Sequence, residues 1–279
     1  MGANTSAVGT ILREWRGVRR MSQLDLALEA EVSPRHLSFV ETGRAEPSRE
    51  MVLVLARALD VPFRERNAML AAAGYAPMYR ETSLDDPHMA DMRRALELLL
   101  RQNEPFGAVA LDRAWDIVMC NAGYARFVEL LGHGTVEPYR VQPAPRANLM
   151  RLLFGPLRPA IVNWEEVARA LLERARREAA SDRDPARRRV LDECLASAPP
   201  EWRTPWPEAP SSLVLTVDLR VGDLDVRLFT TIATLGTAQD ITLQELHIES
   251  FHPADEATER LLRALAGAGG AGTAPPAPR

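Results

Sequence analysis

The sequence predicts an α+β protein, with an all-helical amino-terminal domain followed by a domain of antiparallel sheet and helices. From Val8 to about Ala73, apolar residues recur at three- and four-residue spacing between helix-capping residues. From Phe106 onward the pattern changes, and short alternating runs bounded by Asp and Gly turns flank a stretch of helical periodicity. A chain of 279 residues with 46% apolar content is long enough to fill two such cores.

Five helices fit the first region. One carries Leu12, Trp15 and Val18 on a single face, and the next follows Ser22 as N-cap with Leu24, Ala27 and Leu28 facing inward. The third opens at Ser33 with Pro34 in its first position, where the missing N–H costs nothing. Ser48 caps a fourth, running through Met51, Val52, Leu55 and Leu59, and residues 64–73 make a fifth, ended by Gly74. The expected division is a helical domain over 1–80, a linker and connecting helix over 81–104, a sheet domain over 105–265 and a disordered tail over 266–279.

In the sheet domain, FGAVALDRAWDIVMCNAGYARFVELL reads as a strand, a turn at Asp112-Arg113, a strand around Trp115 to Met119 and a helix after Asn121. Helices are expected over about 148–154, 164–179 and 185–196, and the proline-rich PPEWRTPWPEAP must be a loop. Three alternating runs follow, over 213–221, 225–235 and 242–251, with a turn at Gly222-Asp223.

Composition removes several function classes. The net charge of −4 argues against nonspecific coating of nucleic acid, and all 34 basic residues are arginines, which removes Schiff-base chemistry and the P-loop lysine. Cys120 and Cys194 are far apart, with no CxxC spacing or histidine cluster to hold zinc. No apolar run approaches the roughly 20 residues of a membrane helix and the first residues lack a signal-peptide layout, so a cytoplasmic location away from membranes is expected. The glycines of GAGGAG follow a helix and not a strand, so they make no dinucleotide fingerprint. No nucleophile, base and oxyanion set stands out, so neither enzyme activity, catalytic residues, a metal nor a cofactor is expected.

A helix that reads bases must be held at a fixed angle by its neighbour, which demands a small residue at the crossing and apolar inner faces. The series Gln23, Leu24, Ala27, Val32, Leu37 and Val40 supplies them, with Ala27 as the small residue. The segments S-Q-x-x-L-A, V-S-x-x-x-L-S and E-x-G-R-x-x-P-S occur in order within 8–73, which resembles the XRE family of lambda-repressor-like helix-turn-helix domains. One departure is Glu31, where the family places a turn glycine. The resemblance implies that Gln23 touches the phosphate backbone and braces the reading helix, while Ser33, Arg35, His36, Ser38 and Phe39 lie at or near its exposed face. Arg35 then suits bidentate bonding to guanine and Phe39 a thymine methyl, with Arg44, Ser48 and Arg49 placed for phosphates. Between Arg13 and Arg66 ten arginines face nine carboxylates, so the domain is barely basic and a homodimer on a palindromic operator is expected.

The strand–turn–strand–helix opening and the closing three strands resemble a PAS-type fold. The stretches NLMRLLFGPLRPAIVNWEEVARALLERARREA and TTIATLGTAQDITLQELHIESFHPADE, with RHLSFVETGR and RNAMLAAAGYAP, resemble the MmyB-like regulators, an XRE domain joined to a PAS-like ligand-binding domain. That resemblance implies a transcription factor sensing a small hydrophobic molecule, with fatty-acid-like ligands leading. Phe106, Val109, Trp115, Ile117, Phe127, Leu149, Leu153, Trp164, Phe229, Ile232, Leu246 and Ile248 are of types that suit either a dry pocket or plain core. Asn148 and Arg151 could meet a ligand carboxylate, or equally cap and pair on a helix surface. His247 and Glu249 share a strand face near His252, a set that is more often structural than metal-binding. The competing readings are an enzyme with an autoregulatory helix-turn-helix, an antitoxin-like partner, and a carboxy-terminal domain that serves only dimerisation.

Overall fold

Helices of seven to ten residues are marginal in water on their own, so their ends and one buried stripe must hold them. The structure, a computed structural model, describes residues 7–181, 185–204 and 214–269. Its amino-terminal unit contains α1 (Ala7–Val18), α2 (Gln23–Glu29), α3 (Pro34–Glu41), α4 (Arg49–Ala58) and α5 (Phe63–Ala72). Ser22 and Asp25 form a reciprocal capping box at α2, while Ser33 and Ser48 cap α3 and α4 through His36 N and Met51 N. Leu12, Trp15, Leu26, Ala27, Leu37, Val40, Val52 and Leu55 make the shared core.

Two sequence expectations fail here. Val18 is 47% exposed, and α2 turns Leu26 and Ala27 inward while Leu24 and Leu28 remain 56% and 68% exposed. Three leucines and an alanine in two turns admit two apolar faces, and buried Ala30, just past the helix, falls on the one shared by Leu26 and Ala27. A second small residue also matters: a Cβ on Gly9 would sit 2.6 Å from the Glu41 carbonyl oxygen, so α1 approaches the end of α3 backbone to backbone.

The second unit begins at Ser83, ahead of α6 (Ala90–Arg101), and the Arg93 guanidinium binds the carbonyls of Leu84 and Asp86, which fastens the segment before this helix to it. There follow β1 (Ala108–Leu111), β2 (Ile117–Cys120), α7 (Ala122–Leu130), α8 (Leu149–Phe154), α9 (Trp164–Ser181), α10 (Pro185–Ser197), β3 (Thr216–Val221), β4 (Leu224–Thr234), α11 (Ile241–Glu245), β5 (His247–Pro253) and α12 (Glu256–Gly269). The five strands form one antiparallel sheet in the order β2-β1-β5-β4-β3, with Val109 opposite Glu249 and Phe229 opposite His252. Buried Asn121 joins the sheet to its helices: its side chain accepts from Ala108 N and Tyr124 N and donates to the Leu100 and Phe106 carbonyls.

Three details of the strand reading change. Trp115 adopts φ 63° in a turn where the Asp112 carboxylate accepts from Ala114 N and Asp116 N, so β2 starts only at Ile117. Residues 242–245 are helical, because Asp240 accepts from Thr242 N and starts a helix where alternation suggested a strand. Residues 266–269 close α12, which Asp255 caps through Thr258 N, and the rest of the expected tail lies outside the described residues. The proline-rich loop opens with a short 3-10 turn at Pro200–Arg203, and its stretch 205–213 also lies outside them.

Residues 237–244 fall between β4 and β5 in sequence but belong to the amino-terminal unit. There the Gln244 side chain accepts the Phe63 N–H at 2.7 Å, the Asp240 carboxylate accepts the Thr82 hydroxyl at 2.7 Å, and Ile241 N donates to the Arg80 carbonyl. The first of these satisfies an otherwise orphaned donor, since Pro62 offers α5 no capping side chain.

α2 ends in a Schellman arrangement, Val32 N to the Ala27 carbonyl and Glu31 N to the Leu28 carbonyl, which forces Glu31 to φ 53°. Left-handed backbone costs a residue with a Cβ roughly 1–2 kcal/mol. Glu31→Gly is therefore expected to stabilise the protein by about 1 kcal/mol, seen as a rise of roughly 4–8 °C in the unit's thermal midpoint, whereas Glu31→Ala brings no gain. An unchanged midpoint for the glycine variant would show that the turn is not strained.

Candidate functional site

The angle of α3 is set from beneath. Glu41, its last residue, is completely buried, and its carboxylate takes two hydrogen bonds from the Arg16 guanidinium of α1, at 2.9 and 3.2 Å, and one from the Gln23 amide of α2, at 2.6 Å. Arg16 also donates to the Met21 carbonyl. Gln23 thus holds the end of α3, and it does so through Glu41, which the sequence pattern had not singled out. The signal was present: Glu41 lies one turn beyond Leu37 on the inward stripe, and a charge on a buried stripe needs a partner.

On the outer side Arg35 is exposed and sits over the Phe39 ring, 5.4 Å from its centroid, one helical turn away. His36, Ser38 and Phe39 are half-buried, and Ser33 is exposed with its hydroxyl accepting the His36 N–H. Arg44 follows α3 in a loop, and Ser48 and Arg49 stand exposed at the start of α4. Among the described residues Arg35, Arg44 and Arg49 form no ion pair with a carboxylate, in contrast to Arg16 and Arg19. Unneutralised guanidinium groups on a capped helix pair are what a phosphate backbone and a guanine edge would meet.

The second unit holds a cavity of about 320 Å³ between the sheet and its helices, at the small end of the range for ligand pockets. Of the expected pocket residues, Ile117, Phe127, Leu149 and Leu153 line it. The others do not. Phe106 packs beside the cluster of Val226 and Leu262; Trp115 is core against Met150 and Leu172; Trp164 stands edge-on to Phe154. Leu228 and Thr230 of β4 and Glu249 and Phe251 of β5 face the cavity, so alternation turns Phe229 and Ile248 to the opposite face, where Phe229 stacks on His252. Val109 is buried in the cluster that holds the lining residues Ile117, Tyr124 and Leu149 without itself lining the cavity, Leu246 is buried outside the lining, and Ile232 is 48% exposed. Of the two readings open for the polar residues, the structure shows capping and pairing: Asn148 caps α8 and donates to the Ala114 carbonyl and the Asp116 carboxylate, and Arg151 is paired with Glu193 at 2.6 Å.

Alternation in H-I-E-S-F-H-P misled because the inner face of β5 carries a charge. Glu249 is buried and bonded to Arg174, 3.0 Å away, which also binds Glu178 and lies 3.4 Å from His247 Nε2. Burial first, and then the Arg174 charge, push His247 down to about 4, so its ring is neutral at physiological pH. His252 lies on the other face, next to the Thr231 hydroxyl, so these three residues do not converge on a metal. Burial pushes the Cys120 and Cys194 thiols up to about 12, which keeps both protonated.

Comparison with known families agrees with both units. A helix-turn-helix family model matches residues 12–66, and the model of the MmyB-like transcription regulator ligand binding domain matches residues 92–265. A search among curated proteins finds no match. A helix-turn-helix domain joined to a domain of this ligand-binding family makes the protein a DNA-binding transcription regulator. The chain belongs to the MmyB-like transcription regulators.

The neutral His247 makes stability depend on pH. Its ordinary value is 6.5 and its folded value about 4, so between these the unfolded chain binds a proton that the folded one does not. Stability should fall as pH drops through this window, by up to about 3 kcal/mol at its lower end, and not further below it. Thermal midpoints of the full chain from pH 7 to 4 should fall more steeply than those of His247→Gln; parallel curves would show that the buried ring does not titrate this way.

Proposed function

We propose that this regulator binds a two-fold related operator as a homodimer through α3, and that an acyl chain of fatty-acid type in the cavity controls it. The observation that carries the ligand half is the cavity itself. Unfilled apolar space forfeits packing, at a cost on the order of several kcal/mol for this volume, which favours a domain shaped around an occupant over one that serves dimerisation alone. Burying a chain yields about 0.8 kcal/mol per CH₂, and moving a two-state equilibrium from 1:99 to 99:1 takes about 5.5 kcal/mol of preference. A medium-length chain seated in only one of two dimer arrangements supplies that. The DNA half rests on exposed Arg35, Arg44 and Arg49, which form no ion pair among the described residues. No enzymatic step enters this reading, and it puts the protein in the cytoplasm with its operator; no described helix is long and apolar enough to cross a membrane.

Arg35→Ala should cost roughly 1–3 kcal/mol on the preferred duplex and relax base choice, while Arg44→Ala should weaken all duplexes alike and flatten the salt dependence. Binding titrations on selected and scrambled duplexes at several salt concentrations separate the two. If neither substitution changes binding, α3 is not the reading helix.

Delipidated full-length protein should gain thermal stability on adding saturated fatty acids, and mass spectrometry of freshly purified protein should find a co-purified acyl compound. No thermal shift at any chain length would remove the acyl ligand.

A further inference from the structure

The cavity has a mouth, and the mouth has a charge. Among the described lining residues the exposed ones, His133, Pro143, Pro145 and Ala147, all come from the segment between α7 and α8, so the opening lies there. Half-buried Arg146 lines the same rim. Its Nε donates to the Gln142 carbonyl at 3.0 Å, which fixes the plane of the guanidinium. Among the described residues its two terminal nitrogens have no hydrogen-bond partner, and Asp112 feels its charge without forming an ion pair. A guanidinium with one edge held and the Nη1/Nη2 edge free is shaped for a planar, two-oxygen anion.

From this we infer that Arg146 is the headgroup anchor of the cavity, and that the ligand is an amphiphilic carboxylate whose acid group stays at the rim while its chain runs in toward the sheet. The inference rests on the reading of the cavity as an acyl site and adds the chemistry and direction of the ligand. The buried end supports the same direction. Glu249 lines it with a negative charge, and its partner Arg174 already serves Glu249 and Glu178, so a carboxylate entering head-first meets repulsion and no free donor. Arg151, which from sequence alone was the candidate for this role, is engaged with Glu193 outside the lining.

The test compares dodecanoic acid with dodecanol on delipidated full-length protein at pH 8, by calorimetry or by displacement of an apolar fluorescent dye. Wild type should prefer the acid by about tenfold, the value of one charge-assisted contact. Arg146→Ala should lose that preference by weakening the acid alone, its affinity for the alcohol showing that the cavity is still folded; Arg146→Lys should restore part of it, and Arg151→Ala should behave as wild type. Equal binding of acid and alcohol by wild type, or an unchanged preference in Arg146→Ala, overturns the anchor while leaving the acyl site standing. Binding of neither compound by wild type overturns the acyl site and the anchor with it.

Discussion

The Glu41 carboxylate is the constraint on which the amino-terminal unit turns. Completely buried, it has no water to solvate it, and an unpartnered charge there would cost several kcal/mol. It avoids that cost only where Arg16 of α1 and Gln23 of α2 both reach it, a condition met in one relative placement of three helices. Hydrophobic contacts among Leu12, Leu26 and Leu37 attract those helices without fixing their angle, because such attraction has no direction. The hydrogen bonds have direction, and Gly9 lets the backbones close to the distance they require.

A comparable arrangement of charge organises the second unit with a different outcome. There Glu249 sits on the inner face of β5, where it lines the cavity. Arg174 comes in from α9 to meet it, and the neutral His247 completes the polar edge. Apart from this edge, Thr230 and the rim residues His133, Gln142 and Arg146, the lining is aliphatic or aromatic, so the domain combines a largely apolar interior with one compensated charge pair. One unit uses a buried carboxylate to fix an angle; the other keeps one at the closed end of a cavity.

Much of this was legible in the sequence. Cap residues Ser22, Ser33, Ser48 and Asn121 each start a helix where expected, because a side-chain oxygen facing the third following N–H is a local interaction written in four residues. The turn at Gly222 and the five strands followed from local pattern too. What failed was nonlocal. The inward face of α2 depends on which stripe its neighbours cover, and the phase of β4 and β5 depends on a charge pairing 75 positions away in sequence. The candidate site divides the same way: exposed Arg35 and Arg44 could be placed by helix position alone, but Arg146 is defined by the hole it borders, and no spacing in the sequence announces a hole.

Residues 237–244 separate the order of the fold from the order of the chain. They leave the sheet after β4, complete the start of α5 through Gln244, and return as β5. Modular exchange of regulators usually treats the DNA-binding head as a bead on a string, to be cut at one linker and threaded onto another receptor. A head cut after Thr82 would carry an exposed Phe63 N–H and a Thr82 hydroxyl without its acceptor, so a chimera built from this protein has to import two segments of the chain or supply substitutes for Asp240 and Gln244.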